Sequence, residues 1–196
     1  MSEKTNLNVK KLTISAVMIS LSAALSMVRV FEMPLGGSVT LMSMLPVCML
    51  SVMYGCKQGL FFGFLFALVQ LVLNLGLVAG LGLSPAALAG CVVFDYLEAF
   101  TVLGFAGVFR RRGVGGCVGG IALAAGLRVA CHIVSGVIFF SQWTPEGWNT
   151  LWYSVCYNLG FMLPETVFTA VGAVFLLKEP HAAKLFRPEF SGKERR

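Results

Sequence analysis

Apolar residues run along this chain in long blocks, between which most of the charged residues are clustered. A membrane-crossing helix needs about 20 mostly apolar residues. Six such blocks are found: Leu12 to Val28, Val39 to Tyr54, Gly59 to Gly80, Pro85 to Phe109, Val114 to Ser141 and Thr150 to Leu177. The second is short, and only the Gly82-Leu83-Ser84-Pro85 breaker parts the third from the fourth, so hydropathy alone also allows five or seven spans.

Charge placement selects six. With a cytoplasmic N-terminus, 13 of the 15 basic residues fall on inner segments: Lys4, Lys10, Lys11, Lys57, Arg110, Arg111, Arg112, Lys178, Lys184, Arg187, Lys193, Arg195 and Arg196. Only Arg29, at the outer end of the first span, and Arg128, inside the fifth, lie elsewhere. The expected fold is therefore all-α, an integral membrane bundle of six helices with both termini cytoplasmic. Residues 1–11 form an inner tail, 12–177 the membrane domain and 178–196 a second inner tail. The first helix lacks a small-residue cleavage site and leads straight into further spans, so it is read as retained.

Composition agrees. The chain is 57% hydrophobic and only 12% charged, with a mean hydropathy of +0.82, which excludes a soluble enzyme or a nucleic-acid reader. The net charge of +6 is mostly topological. No phosphate-binding Gly-x-x-x-x-Gly-Lys-Ser/Thr loop is present, so no energy source is encoded. The six cysteines lack metal spacing and read as small buried apolar residues, and no metal site is expected.

An ionised side chain within a span costs roughly 2.5–3.5 kcal/mol on insertion scales, which makes each one a candidate for function. Here they are Asp95 and Glu98, Arg128 and His132, and Glu165. At about 1.5 Å per residue from the outer end, Asp95, Arg128, His132, Tyr153 and Asn158 fall within the outer half of the bilayer, which suggests one shared pocket. Asp95 and Glu98 are three apart and Arg128 and His132 four apart, so each pair shares a helical face. The alternative is an ion-pair network that only fixes packing. Glu165 is assigned no ligand role. All three tryptophans, Trp143, Trp148 and Trp152, lie within ten residues, close to Phe140, Tyr153 and Tyr157. Aromatic rings above a carboxylate suit a flat cationic heterocycle. On the first helix Ala16, Ser20 and Ala24 recur every four residues as a small-residue stripe, which serves either a partner helix or packing within the bundle.

Four stretches carry a family resemblance: Pro34-Leu35-Gly36-Gly37-Ser38-Val39; Asp95-Tyr96-Leu97 with Ala99-Phe100; Leu127-Arg128 leading to His132-Ile133-Val134-Ser135-Gly136-Val137-Ile138-Phe139-Phe140; and Tyr153-Ser154, Tyr157-Asn158 and Met162-Leu163-Pro164. Through them the sequence resembles the thiamine-specific substrate-binding (S) subunits, the ThiT family, of energy-coupling factor transporters. The resemblance implies a bacterial cytoplasmic-membrane protein that captures thiamine from outside. Its partners would be a transmembrane coupling protein and two cytosolic ATPases; the chain itself would need no cofactor, act on no nucleic acid and catalyse nothing. Position by position, it implies binding roles for Asp95, Tyr96, Arg128, His132, Tyr153 and Asn158. Ala16 and Ser20, extended by Ala24 of the same stripe, would dock the coupling protein. The family acid is often Glu and its basic residue can be Lys; a ligand-stacking Trp of some members aligns with Phe140. The residues themselves add Trp143 and Trp148 as stacking partners and Glu98 as a second acid. Two other readings stay open: a subunit for another vitamin such as riboflavin or a pyridoxine-like compound, and an intramembrane enzyme with His132 and an acid as its acid/base pair.

Overall fold

A computed structural model describes residues 2–186. Arg187, Lys193, Arg195, Arg196 and the side chain of Lys4, all expected on the inner face, lie outside the described residues, as does the end of the expected C-terminal tail. Helix α1 spans Ser2–Met27 and leads into an antiparallel hairpin, β1 Arg29–Glu32 and β2 Ser38–Thr40. Helix α2 is Met44–Tyr54, α3 Cys56–Leu73 and α4 Leu75–Gly80. Helix α5 runs from Pro85 to Gly107, α6 is Gly113–Phe139, α7 Thr150–Lys178 and α8 Pro180–Leu185.

Five of these helices are long and apolar enough to cross a bilayer: α1, α3, α5, α6 and α7. Among the six expected spans, α2 is the exception. Its 11 residues rise about 16 Å, roughly half of a 30 Å hydrocarbon core. The span expected from Val39 is thus corrected: Val39 and Thr40 belong to β2, and the helix begins at Met44. The chain reaches it through the hairpin, whose second strand is set into the bundle while the first is exposed; Val39 and Thr40 are buried.

Every residue of α2 is buried, as expected for a helix that is apolar all round. It packs against α1, α3, the end of α5 and α7, and so forms the axis of the bundle. Gly55 ends it with φ +88°, a left-handed value that disfavours any residue with a Cβ. Arg110 lies over Gly55 and donates to the Met53 carbonyl at 2.9 Å. Lys11 places its ammonium 4.7 Å from the centre of the Tyr54 ring. These contacts bring Lys11 of α1 and Arg110, just beyond α5, to the Gly55 end of α2, so basic residues gather on that side of the bundle. Beyond α7, Glu179 accepts from the Ala182 amide at 2.6 Å and so caps α8, and that bond together with His181 holds its carboxyl below the usual range.

Packing between α3 and α5 is as close as backbones allow. A Cβ on Gly59 would lie 2.8 Å from the Gly104 carbonyl oxygen, and one on Gly104 would overlap the Leu60 and Gly59 backbone. Ser51 of α2 ties its own helix to the same stretch of α5 by donating to the Gly104 carbonyl and accepting from the Gly107 amide at 2.9 Å. Gly104→Val is expected to destabilise the protein by about 3 kcal/mol or more, since overpacking against rigid backbone has no rotamer escape. A thermal melt in detergent checks this, and an unchanged midpoint would exclude the contact.

Candidate functional site

A cavity opens on the hairpin side of the bundle, away from the basic end. Its volume is about 160 Å³, where one water-sized sphere takes about 10–15 Å³, so it has room for a small organic molecule. Walls come from the hairpin, the ends of α1 and α3, the first half of α5, the second half of α6 and the first half of α7.

The polar centre is a relay. Arg128 Nε donates to His132 Nε2 at 3.3 Å, and His132 Nδ1 lies 2.8 Å from Asp95 Oδ1. A guanidinium can only donate, so His132 Nε2 must be the unprotonated nitrogen, and the proton sits on Nδ1 and is donated to Asp95. The imidazole is thus held at both ring nitrogens, Nε2 towards Arg128 and Nδ1 towards Asp95. The second Asp95 oxygen accepts from Ser135 Oγ, one turn beyond His132 on α6. Arg128 also lies 4.1 Å from the centre of the Phe100 ring, a cation–π contact that holds its charge inside the bundle.

A second carboxylate stands deeper. Glu165 is 2% exposed and accepts from the Thr40 amide at 2.6 Å and the Thr40 hydroxyl at 2.6 Å, with Ser43 Oγ at 3.2 Å. Both oxygens face hydrogen-bond partners, Oε2 the Thr40 amide and Oε1 the two hydroxyls. Glu165 thus ties the base of the hairpin to the middle of α7. The hairpin tip is tied separately: Tyr157 donates to the Pro34 carbonyl and accepts from the Gly37 amide at 3.1 Å. Between these anchors Leu35 at φ +66° and Met42 at φ +58° occupy the left-handed region, so neighbouring contacts hold the hairpin in a costly conformation.

Counting formal charges, with histidine taken as neutral, the cavity wall carries Asp95 and Glu165 against Arg128. Arg29 also reaches the wall, but it is paired with Glu32. The balance is one net negative charge. Rings lead down to it from the rim: Trp148 to Tyr153 at 6.4 Å between centroids, Tyr153 to Tyr157 at 6.1 Å, Tyr157 to Phe161 at 5.9 Å and Phe161 to His132 at 6.0 Å.

The sequence profile described as "Thiamine transporter protein (Thia_YuaJ)" matches residues 12–185. The chain belongs to the thiamine transporter protein family. A curated relative from Bacillus subtilis, "Thiamine transporter ThiT", is 33% identical over 152 residues, 71% of this chain and 74% of that protein. A second of the same name, from Lacticaseibacillus paracasei, is 28% identical over 146 residues, 68% of this chain and 70% of that one. Among solved structures, ThiT from Listeria monocytogenes superposes with a TM-score of 0.76 at 21% identity, covering 92% of this chain and 99% of that one. The family is one of transporters rather than enzymes, and the chain is a multi-pass protein of the cell membrane.

Within this thiamine transporter family member, the cavity wall includes Asp95, Tyr96, Arg128, His132, Phe140, Tyr153 and Asn158. Three expected residues stand elsewhere. Glu98 is exposed and outside the wall, because α5 is π-helical from Val92 to Glu98 and the wider turn takes Glu98 off the face of Asp95. Trp143 and Trp148 do not line the cavity either. The α6–α7 connection begins with a tight turn at Ser141–Trp143, which leaves Trp143 against Phe140 at 5.4 Å and Trp148 against Tyr153. Each indole backs a ring that does line the cavity. Ala16, Ser20 and Ala24 are all exposed while Ser15 and Ser22 are buried, so the stripe faces outward and is not used within the bundle.

Sequence reasoning missed several residues. Ser135 is one turn from His132, and helical spacing could have placed it beside Asp95. Gln70 and Asn74, four apart in an apolar run, were readable in the same way. Thr40 and Ser43 carried no such signal, since only the sunken hairpin brings them to Glu165.

Proposed function

We propose that this chain is the substrate-binding subunit of an energy-coupling factor uptake system and captures thiamine from the outer side of the membrane. The observation that carries the reading is a cavity lined by aromatic rings whose formal charges leave one carboxylate in excess, matched to a monocation built of two flat rings. Asp95 supplies the anionic partner. Phe140, Tyr153, Tyr157 and Phe161 offer ring faces and edges, and Tyr96, His132 and Asn158 orient the ligand, whose ordering cost falls because the relay is already fixed by its own hydrogen bonds. Riboflavin, which carries no positive charge, has no use for the uncompensated carboxylate.

The orientation that suits this role has six crossings, the sixth made by α2 with the hairpin, and both termini in the cytoplasm. Lys11, Lys57 and Arg110 to Arg112 then face inward, in line with the positive-inside bias, and the cavity faces outward. The exposed stripe of Ala16, Ser20 and Ala24 is suited to close approach by a helix of a transmembrane coupling protein. Two cytosolic ATPases would hydrolyse ATP, for which this sequence carries no Gly-x-x-x-x-Gly-Lys-Ser/Thr loop, and the chain would need no cofactor.

Titration of the purified protein in detergent, followed by tryptophan fluorescence, tests the ligand. Trp148 touches Tyr153 and Trp143 touches Phe140, so occupation of the cavity should perturb both indoles. Thiamine is expected to give saturable quenching; riboflavin and pyridoxal at equal concentration are not. Saturation by either of those without a response to thiamine would require a different vitamin.

A further inference from the structure

Helix α3 contributes to the cavity a buried side chain that has no part in the relay or the ring ladder. Gln70 is 4% exposed and lines the cavity, and its Nε2 is buried without a hydrogen-bond partner. A buried amide donor left unpaired is costly, and native proteins rarely keep one without a use.

The direction in which that amide points is fixed by its neighbours. Arg29 Nη2 donates to Asn74 Oδ1 at 3.3 Å. Because the guanidinium has no acceptor, the Asn74 atom facing it must be the oxygen, and its amide nitrogen is turned back to α3. That nitrogen donates to the Gln70 carbonyl at 2.9 Å and to Gln70 Oε1 at 3.2 Å. Gln70 Oε1 is thereby the engaged end, and Nε2 is the end left over. Glu32 holds Arg29 in turn, so the chain of donors begins on the hairpin and ends at Gln70, a residue of the cavity wall, with its Nε2 left unpaired.

This corner differs chemically from the Asp95 relay. There the wall accepts hydrogen bonds and carries negative charge; at Gln70 it donates, and the Arg29–Glu32 pair leaves it without net charge. We infer that Gln70 is a specificity-determining residue whose side-chain amide donates to a neutral oxygen acceptor of the ligand. For the ligand assigned under Proposed function, on which this inference rests, that acceptor is the hydroxyl oxygen of the hydroxyethyl arm. The same ligand then meets an acceptor wall at its amino-bearing ring and a donor at its alcohol.

The test compares two ligands and two proteins by fluorescence titration: thiamine and its analogue with an ethyl group in place of the hydroxyethyl arm, against the unaltered protein and Gln70→Met. The unaltered protein is expected to bind thiamine about tenfold more tightly than the ethyl analogue, the scale of one hydrogen bond to a buried donor. Gln70→Met should lose about tenfold for thiamine and leave the ethyl analogue unchanged, an unchanged value that also shows the variant to be folded. Equal losses for both ligands would mean that Gln70 serves only the scaffold and would overturn the proposal. So would a preference below twofold in the unaltered protein, a measurement that decides the matter even if Gln70→Met cannot be purified. Failure of the unaltered protein to bind thiamine at all would overturn the ligand assignment and this inference with it, and it is told apart because it appears before any variant is made.

Discussion

Asp95→Asn is expected to weaken thiamine binding about 100-fold while leaving the thermal midpoint within a few degrees. The substitution keeps the shape of the side chain. The amide that replaces the carboxylate can still accept from His132 Nδ1 through its oxygen, and its nitrogen can donate to the Ser135 hydroxyl, so both neighbours keep a partner. What is lost is the charge. The wall then carries Glu165 against Arg128, a balance of zero, and the cation loses a charge-assisted contact worth roughly 1.5–3 kcal/mol, the upper end of which is about 100-fold. Isothermal or fluorescence titration gives the affinity. An affinity within threefold of the unaltered protein, at normal stability, would remove Asp95 from the binding role.

The second large effect is on stability and centres on Glu165. Glu165→Leu leaves the buried Thr40 amide without an acceptor and removes the link between hairpin and α7. The Thr40 and Ser43 hydroxyls lie 2.7 Å apart and can re-pair, so the uncompensated loss is chiefly the backbone donor plus imperfect packing. The expected cost is about 2–4 kcal/mol, which for a chain of this size corresponds to roughly 5–10 °C in the melting midpoint. Glu165→Gln retains an acceptor for the Thr40 amide and should lose less than half as much. The two variants melting alike would mean that the acceptor at this position is not what holds the hairpin. Because Glu165 also contributes to the net charge of the cavity, Glu165→Gln is expected to weaken thiamine binding as well, in the same direction as Asp95→Asn.

Much of the site was legible because the membrane makes polar residues rare. In a soluble protein Asp95, Arg128 and His132 would be three among dozens of charged or polar side chains; inside apolar runs each is costly and stands out. The i, i+4 spacing of Arg128 and His132 then gave their common face without knowledge of the fold. The same rule failed for Asp95 and Glu98, since it assumes α-helical geometry and α5 is π-helical over those residues. No property of Val92 to Glu98 as a sequence announces the wider turn.

Glu165 shows a different kind of failure. Its residue type and depth flagged it, but its role depends on the hairpin, and hydropathy cannot distinguish a strand set into a bundle from the start of a helix. Val39 and Thr40 are buried either way. The division is physical. Transfer of long apolar blocks into lipid depends on composition and length, and attraction of Lys and Arg to the cytoplasmic side depends on their order, so the sequence alone determined a helical membrane bundle and the side on which its basic residues gather. Which groups pair is set by directions and distances between segments far apart in the chain. Only the tertiary structure decided that His132 stands between Arg128 and Asp95, that Glu165 holds the hairpin, and that Gln70 is left with an unpaired N–H.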